Sequence, residues 1–364
     1  FTKHILMNKT FIAVSALFMT LTAFSQKYEF QIIKEIKCTP VTAQQNTGTC
    51  WSFSSTSFLE AEIIRKTGTT VDLSEMYTVR NIYLDKAENY VMRQGKAQFG
   101  EGGLNHDVMN SALKYGLTTQ AEYSGKIDPT AKYDHSGLVA ALEDIVKKAV
   151  ALTPKAYPNW KTDYAVALDK YMGEVKNIKP MTAEDVARNY KLNLNDYITI
   201  TSFTHQPIHT KFILNIPDNF SNGYFYNLTL DEFVQNIDNA LDKGYTVALD
   251  SDVSETTFSS TSGVAVIPQN TADAAAILTE IKPEKVITPE FRQAEFENYN
   301  TMDDHLMHIV GKAKDQKGNV YYKVKNSWGA TSGRDGFIYM SVAYLRLKAI
   351  SVLLHKDALT APTK

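Results

Sequence analysis

One cysteine, one histidine, one asparagine and one glutamine in this chain have the types and order needed for thiol chemistry. The stretch "QQNTGTCWSFS", residues 44–54, sets Cys50 between a small polar run and Trp51, where a helix should open. A thiol at a helix N-terminus meets the positive end of the dipole, which favours thiolate. A nucleophilic thiol also needs a base, and the base needs a group that orients it. His305 in "DDHLMHIVG" and Asn326 in "KVKNSWG" fit these roles, on neighbouring strand-like runs of the same half. The imidazole takes up charge beside the thiol, and an amide oxygen that accepts the other ring N–H fixes its tautomer. A lone Cys50 would read as a packed, inert thiol; the ordered set gives it a task.

Other chemistries fit less well. Cys38 is the only other cysteine, and a Cys38–Cys50 bridge would consume the nucleophile. Two cysteines cannot complete a structural zinc site. His305 and His308 stand three apart on a strand, so they point to opposite faces and cannot easily share a metal with Asp303 and Asp304. No metal and no organic cofactor is expected. The chain has 364 residues, 44% of them hydrophobic and 21% charged, with 38 Lys plus Arg against 40 Asp plus Glu. That composition suits a large globular core and offers no basic stripe for nucleic acid.

The elements that must position these residues follow from pattern. The run after Cys50, "CWSFSSTSFLEAEIIRKTG", repeats at helical spacing, is apolar on both flanks, and stops at Gly68; Glu60, Arg65 and Lys66 are expected to reach water. Further helices are expected over "DLSEMYTVRNIYLDKAENYVMRQG", over "LNHDVMNSALKY" before Gly116, and over "GLVAALEDIVKKAVALTP" up to Pro154. Thr182 with Asp185, and Thr229 with Glu232, mark two more helix starts. Residues 253–300 read as polar and irregular, with one candidate helix near "TADAAAILTEI". Strands dominate after that. The chain thus passes from a helical half to a sheet half, an α+β arrangement.

The N-terminal stretch has its own logic. Met7, Asn8 and Lys9 precede an apolar run over 11–24, with small residues at Ala23 and Ser25. This reads as a secretory signal cleaved after Ser25, because the run is short for a membrane span. The chain is therefore expected to be exported, periplasmic or secreted, without stable membrane insertion.

The three motifs resemble those of papain-like cysteine peptidases: the nucleophile segment at 44–54, the histidine strand at "DHLMHIVG" and the asparagine turn at "VKNSWG". Within that superfamily the chain is most similar to the bleomycin hydrolase and aminopeptidase C branch, through "KYG" at 114–116, "VALDSDVS" at 247–254 and "GRDGFIYM" at 333–340. The resemblance implies a two-lobe fold, a helical lobe plus a β-barrel-like lobe. The histidine lies well beyond the roughly 130–150 residues that separate it from the cysteine in a simple papain-like enzyme, so an inserted subdomain is expected. The expected division is a leader over 1–25, a helical lobe about 40–124, an insert about 125–228, a sheet-rich lobe about 229–355 and a short tail over 356–364.

The resemblance also implies roles. Cys50 is the nucleophile, His305 its base, Asn326 the orienting amide, and Gln44 an oxyanion donor together with the Cys50 N–H. Trp328 shields the His305–Asn326 pair, and Gly48 lets the loop turn into the helix. Gly102, Gly103 and Trp51 meet an extended peptide. The implied activity is peptide-bond hydrolysis through a thioester, most readily as an aminopeptidase. A papain-like endopeptidase is the alternative, and an inactive peptide-binding protein the less favoured one. Peptides are the expected partners. Members of the branch form homo-oligomers, which an exported chain need not share. The branch also uses a terminal carboxylate on a long arm to hold the substrate's amino group. After "AISVLLH" only "KDALTAPTK" follows here, with Pro362 and no apolar anchor to fix a path, so the insert is left as another source of a carboxylate.

Overall fold

A computed structural model describes residues 27–360. The leader with its cleavage point, and the last residues including Pro362 and Lys364, lie outside the described residues.

The helix that carries Cys50 is buried on every side. After β1 (Gln31–Glu35), α1 (Cys50–Thr67) begins at the cysteine, and every residue from Cys50 to Ile64 is buried. Gly68 ends it in the left-handed conformation (φ 74°), its N–H donating to Ile64 O at 2.8 Å. Glu60 does not reach water. It is buried, accepting from Thr39 Oγ1 (2.5 Å) and Leu73 N (2.8 Å), and burial pushes its carboxyl up to about 7. Thr39 and the start of α2 close over that face.

Three helices continue this lobe: α2 (Glu75–Met92), capped by Ser74; α3 (Asn105–Tyr115), which ends at Gly116; and α4 (Ser136–Ala156), which breaks helical geometry at Thr153, just before Pro154. Next come α5 (Trp160–Met172) and α6 (Ala183–Tyr190), the second held by the Thr182–Asp185 capping box. The stripe Trp160, Tyr164, Leu168, Met172 buries α5 in the same core as α1 and α2.

The strands form a single sheet. Short strands β2 (Tyr197–Thr201), β3 (Lys211–Ile213) and β4 (Tyr224–Asn227) are followed by α7 (Leu230–Asp242), then β5 (Val247–Ser251), β6 (Phe258–Ser259) and β7 (Val264–Ala265). The "TADAAAILTEI" segment forms two short 3-10 turns, and α8 (Pro289–Glu297) forms beyond it, where irregular chain was expected. Then come β8 (His305–Lys314), β9 (Val320–Lys325), β10 (Phe337–Ser341), α9 (Val342–Lys348) and β11 (Ala349–His355). The strand order is β3-β4-β2-β11-β5-β8-β9-β10-β7-β6, with β1 also paired to β8.

Among the described residues no pairing joins β3 to β6, so the sheet does not close into the barrel-like lobe. The segment expected as an insert packs into both lobes. Its helices share the α1–α2 core, while β2 pairs with β11 and carries β4 and β3 onto that edge of the sheet. The fold is thus α+β with two lobes: helices around α1 on one side, the sheet with α7, α8 and α9 on the other. Nor is the described part of the tail unanchored. Ala358 is buried and Leu359 packs beside it, and Thr360 N donates to Asn236 Oδ1 (2.7 Å) on α7.

Candidate active site

The N-terminus of α1 abuts the start of β8, and this contact assembles the site. Cys50 is the first residue of α1; its sulfur receives backbone hydrogen bonds from Leu306 on β8 and from Trp51. Its own N–H belongs to the first turn, where a helix offers no internal acceptor. His305 starts β8, opposite Ser251 of β5. Its Nε2 lies 2.8 Å from Asn326 Oδ1. Asn326 follows β9 directly, and its N–H donates to Gly336 O (3.0 Å). Ser327 N also donates to Asn326 Oδ1 (2.8 Å), so the amide presents its oxygen to the ring. The imidazole therefore carries its hydrogen on Nε2 and leaves Nδ1 as an acceptor. Trp328 leans over the histidine, ring centres 4.8 Å apart and planes tilted by 34°, and is partly exposed.

The loop bearing Gln44 is zipped to the asparagine turn. Gln44 N donates to Ser327 O (2.9 Å), Ser327 Oγ donates to Gln44 Oε1 (2.6 Å), and Ala43 pairs with Trp328. Gln44 Nε2 spends one hydrogen on Thr47 O (2.7 Å), which leaves its second free. Gln45 turns outward with φ 57° and accepts from Tyr133 N. The two neighbouring glutamines thus point to different places, and Gln44 is the buried one beside Asn326.

Three sequence expectations change. Trp51 cannot meet a peptide with its side chain: it is fully buried, donates Nε1–H to Glu101 O (2.9 Å), and lies under Gly103, where an added Cβ would come 3.0 Å from the indole. Gly48 serves close approach, since a Cβ there would meet Glu101 Cβ at 2.9 Å; the left-handed residue of the loop is Gln45. Gly102 is not an open ledge. A Cβ there would fall 1.9 Å from Asp218 Oδ2, and its carbonyl accepts from Lys86 Nζ. Gly103 is itself buried, and Gly102 is the more exposed of the two.

Burial dominates the electrostatics of both Cys50 and His305. Burial pushes the Cys50 thiol up to about 12, and Asp303 and Asp218 add to the rise against the backbone bonds from Leu306 and Trp51. Burial lowers His305, with Asn326 and Asp304 opposing. Burial thus works against the charged form of each group. Cys38 is a second free thiol, half-buried near Lys325 and Lys323. Alkylation without reductant should therefore add two labels to the chain by intact mass once it is unfolded. No added label would mean a bridge instead.

Several supporting contacts surround the site. Lys325 Nζ, buried, donates to Thr39 O (2.8 Å) and Ser57 Oγ (2.7 Å), and Ser57 Oγ meets His308 Nδ1 (2.9 Å). This network ties α1 to β8 and β9 behind the site. Asp252 accepts from Met302 N (2.8 Å), and Asp304 from Val253 N (3.1 Å), bracing the approach to His305. His308 faces α1, away from the His305–Asn326 pair.

Comparison with known proteins agrees with this architecture. PepW from Lactobacillus rhamnosis has a similar fold, with a TM-score of 0.73, 17% identity, and 90% of this chain and 82% of that one covered. Aminopeptidase G of Lactobacillus delbrueckii subsp. lactis is 23% identical over 381 residues, covering 90% of this chain and 83% of that protein. A Cathepsin L-like peptidase of Aedes aegypti is 34% identical over 140 residues, which span 38% of this chain and only 34% of the mosquito protein. The fold and these likenesses define a papain-like cysteine-type peptidase. The Peptidase C1-like family model matches residues 104–364, and the chain belongs to that family. His305 and Asn326 fall inside the match; Cys50 and Gln44 precede it.

Proposed function

We propose that this chain cleaves peptide bonds through Cys50, His305 and Asn326, with Gln44 and the Cys50 N–H as oxyanion donors, and that it acts as an aminopeptidase. The observation that carries the reading is the 2.8 Å His305–Asn326 pair at the head of β8, where the Cys50 sulfur meets the adjoining Leu306. As the sulfur attacks the scissile carbonyl, His305 Nδ1 takes the thiol proton. The oxyanion accepts from Gln44 Nε2 and Cys50 N. His305 then returns the proton to the leaving amine as the thioester forms. In deacylation His305 takes a proton from water, hydroxide adds to the thioester, and the sulfur departs and regains the proton.

The likeness to Aminopeptidase G supports the exopeptidase reading; the partial likeness to a cathepsin L-like peptidase supports an endopeptidase as the second. One fluorogenic peptide with a free amino terminus, compared with its acetylated twin, separates them. Strong loss on acetylation is expected. Equal cleavage of both, with internal cuts in a longer peptide, would leave the thiol chemistry and remove the aminopeptidase. The leader-like run over 11–24 supports action outside the cytoplasm; N-terminal sequencing of secreted material should begin at Gln26.

Two side chains should have intermediate effects. Gln44→Ala is expected to lower kcat on the order of 10²-fold with little change in KM, and Gln45→Ala to leave kcat within about twofold. A reversed pattern would assign the oxyanion donor to the wrong glutamine. Asn326→Ala should slow turnover by about 10- to 100-fold without abolishing it, because the imidazole keeps its place under Trp328 but loses its fixed tautomer. Wild-type turnover in that variant would leave Asn326 a purely structural residue.

A further inference from the structure

Three carboxyl groups from separate parts of the chain converge beside the nucleophile. Asp250 lies on β5 opposite Leu306, Asp303 just precedes His305, and Asp218 comes from the turn between β3 and β4. Asp250 and Asp303 are in side-chain contact, and both sense Asp218. Asp218 rests on the Cα of Gly102, next to Gly103. Both Asp303 and Asp218 act electrostatically on the Cys50 sulfur. The acids therefore wall the stretch of the site bounded by Gly102, Leu306 and Cys50.

The wall has few partners beyond its own members: Asp250 and Asp303 hydrogen-bond to each other, and burial raises the carboxyls of all three acids. Asp250 is fully buried, and outside the wall its Oδ2 has only a long bond from Ser351 Oγ (3.3 Å). The oxygens of Asp303 are buried, with the Asp250 side chain and the Asp218 N–H alongside and no cation among their contacts. Asp218 receives one weak bond, from Gln98 Nε2 at 3.3 Å. Lys86 is the near cation, but its ammonium is committed to Gly102 O, and among the described residues no cation pairs with Asp218, Asp250 or Asp303 within 4.0 Å. Burying such groups without donors is costly, and a positively charged donor repays the most.

Resting on the peptidase reading above, we infer that Asp218, Asp250 and Asp303 form a receptor for a positively charged nitrogen of the peptide substrate, on the acyl side of the scissile bond. The nitrogen is an ammonium: either the substrate's own amino terminus or a lysine side chain close to the cleavage point. The first source makes the wall the anion that holds an aminopeptidase substrate, supplied from within the fold. The arrangement also links binding to chemistry. Charge on Asp303 and Asp218 adds to the burial that disfavours the Cys50 thiolate, and a bound cation offsets that added part, so the cognate substrate eases formation of the thiolate.

Two substrate pairs distinguish the sources: an aminoacyl fluorogenic amide against its acetylated twin, and an acetyl-lysyl-leucyl amide against its acetyl-norleucyl counterpart. Wild-type protein should prefer the cationic member of at least one pair by about 10- to 100-fold in kcat/KM. Asp303→Asn should bring that ratio close to one and speed alkylation of Cys50 at neutral pH. Asp218→Asn, at a less buried site, repeats the test should Asp303→Asn fail to fold. If wild-type protein cleaves both members of both pairs equally, or if the variants keep the full preference, the receptor is overturned while the peptidase stands. If nothing is cleaved and Cys50 resists alkylation, the peptidase reading itself fails.

Discussion

Replacing Cys50 with alanine is expected to remove peptide hydrolysis, lowering kcat/KM by on the order of 10⁴-fold or more, while the protein keeps its fold. The loss is large because no neighbour can substitute. Cys38 is the only other thiol, and it sits by Lys325 and Lys323, in a different environment. The structural cost should stay near 1 kcal/mol. Alanine favours a helix start no less than cysteine, and the buried Trp51, Phe53 and Phe58 that hold α1 are untouched. Thermal unfolding of the variant should stay within a few degrees of the parent. Residual cleavage at a normal rate would place the chemistry elsewhere.

His305→Ala should be nearly as severe, with kcat/KM down on the order of 10³- to 10⁴-fold. Here the sign of the pH dependence gives a second readout. The imidazole must be neutral to accept the thiol proton, and burial holds its pKa below the ordinary value. Activity should persist as pH falls to about 6.5 and decline only below it, where the ring becomes protonated. Burial also disfavours the thiolate, so attack is expected to depend on the base. Adding imidazole to the His305→Ala protein should restore part of the rate. A variant that retains the parent's rate and acid limb would show that another group takes the proton.

The proposed catalytic set was legible because its parts keep short local motifs. Cys50 was readable at a helix start, and His305 and Asn326 at the ends of strands that neighbour each other in sequence. The separation of Gln44 from Gln45 was legible only by resemblance, since both are polar loop residues; backbone direction decides it, through the left-handed Gln45. The α5 helix had a visible signal, Trp160, Tyr164, Leu168 and Met172 at fourfold spacing, and α8 had Thr288 before Pro289 at its first turn. Both lay in stretches read as insert or irregular chain. What no local pattern could supply was the sharing of the insert between lobes, because β2 joins the sheet through β11, at the far end of the chain. The acidic wall escaped for the same reason. Asp218, Asp250 and Asp303 look like ordinary turn and strand-end residues, and only tertiary packing brings them together.

The most direct test of the account is titration with an irreversible epoxide-type thiol probe, with the modified peptide mapped by mass spectrometry and peptidase activity followed in parallel. One equivalent should attach to Cys50, activity should fall in proportion to labelling, and Cys38 in the folded protein should remain unmodified. Full activity after Cys50 is completely labelled, or inactivation that tracks modification of Cys38, would contradict it.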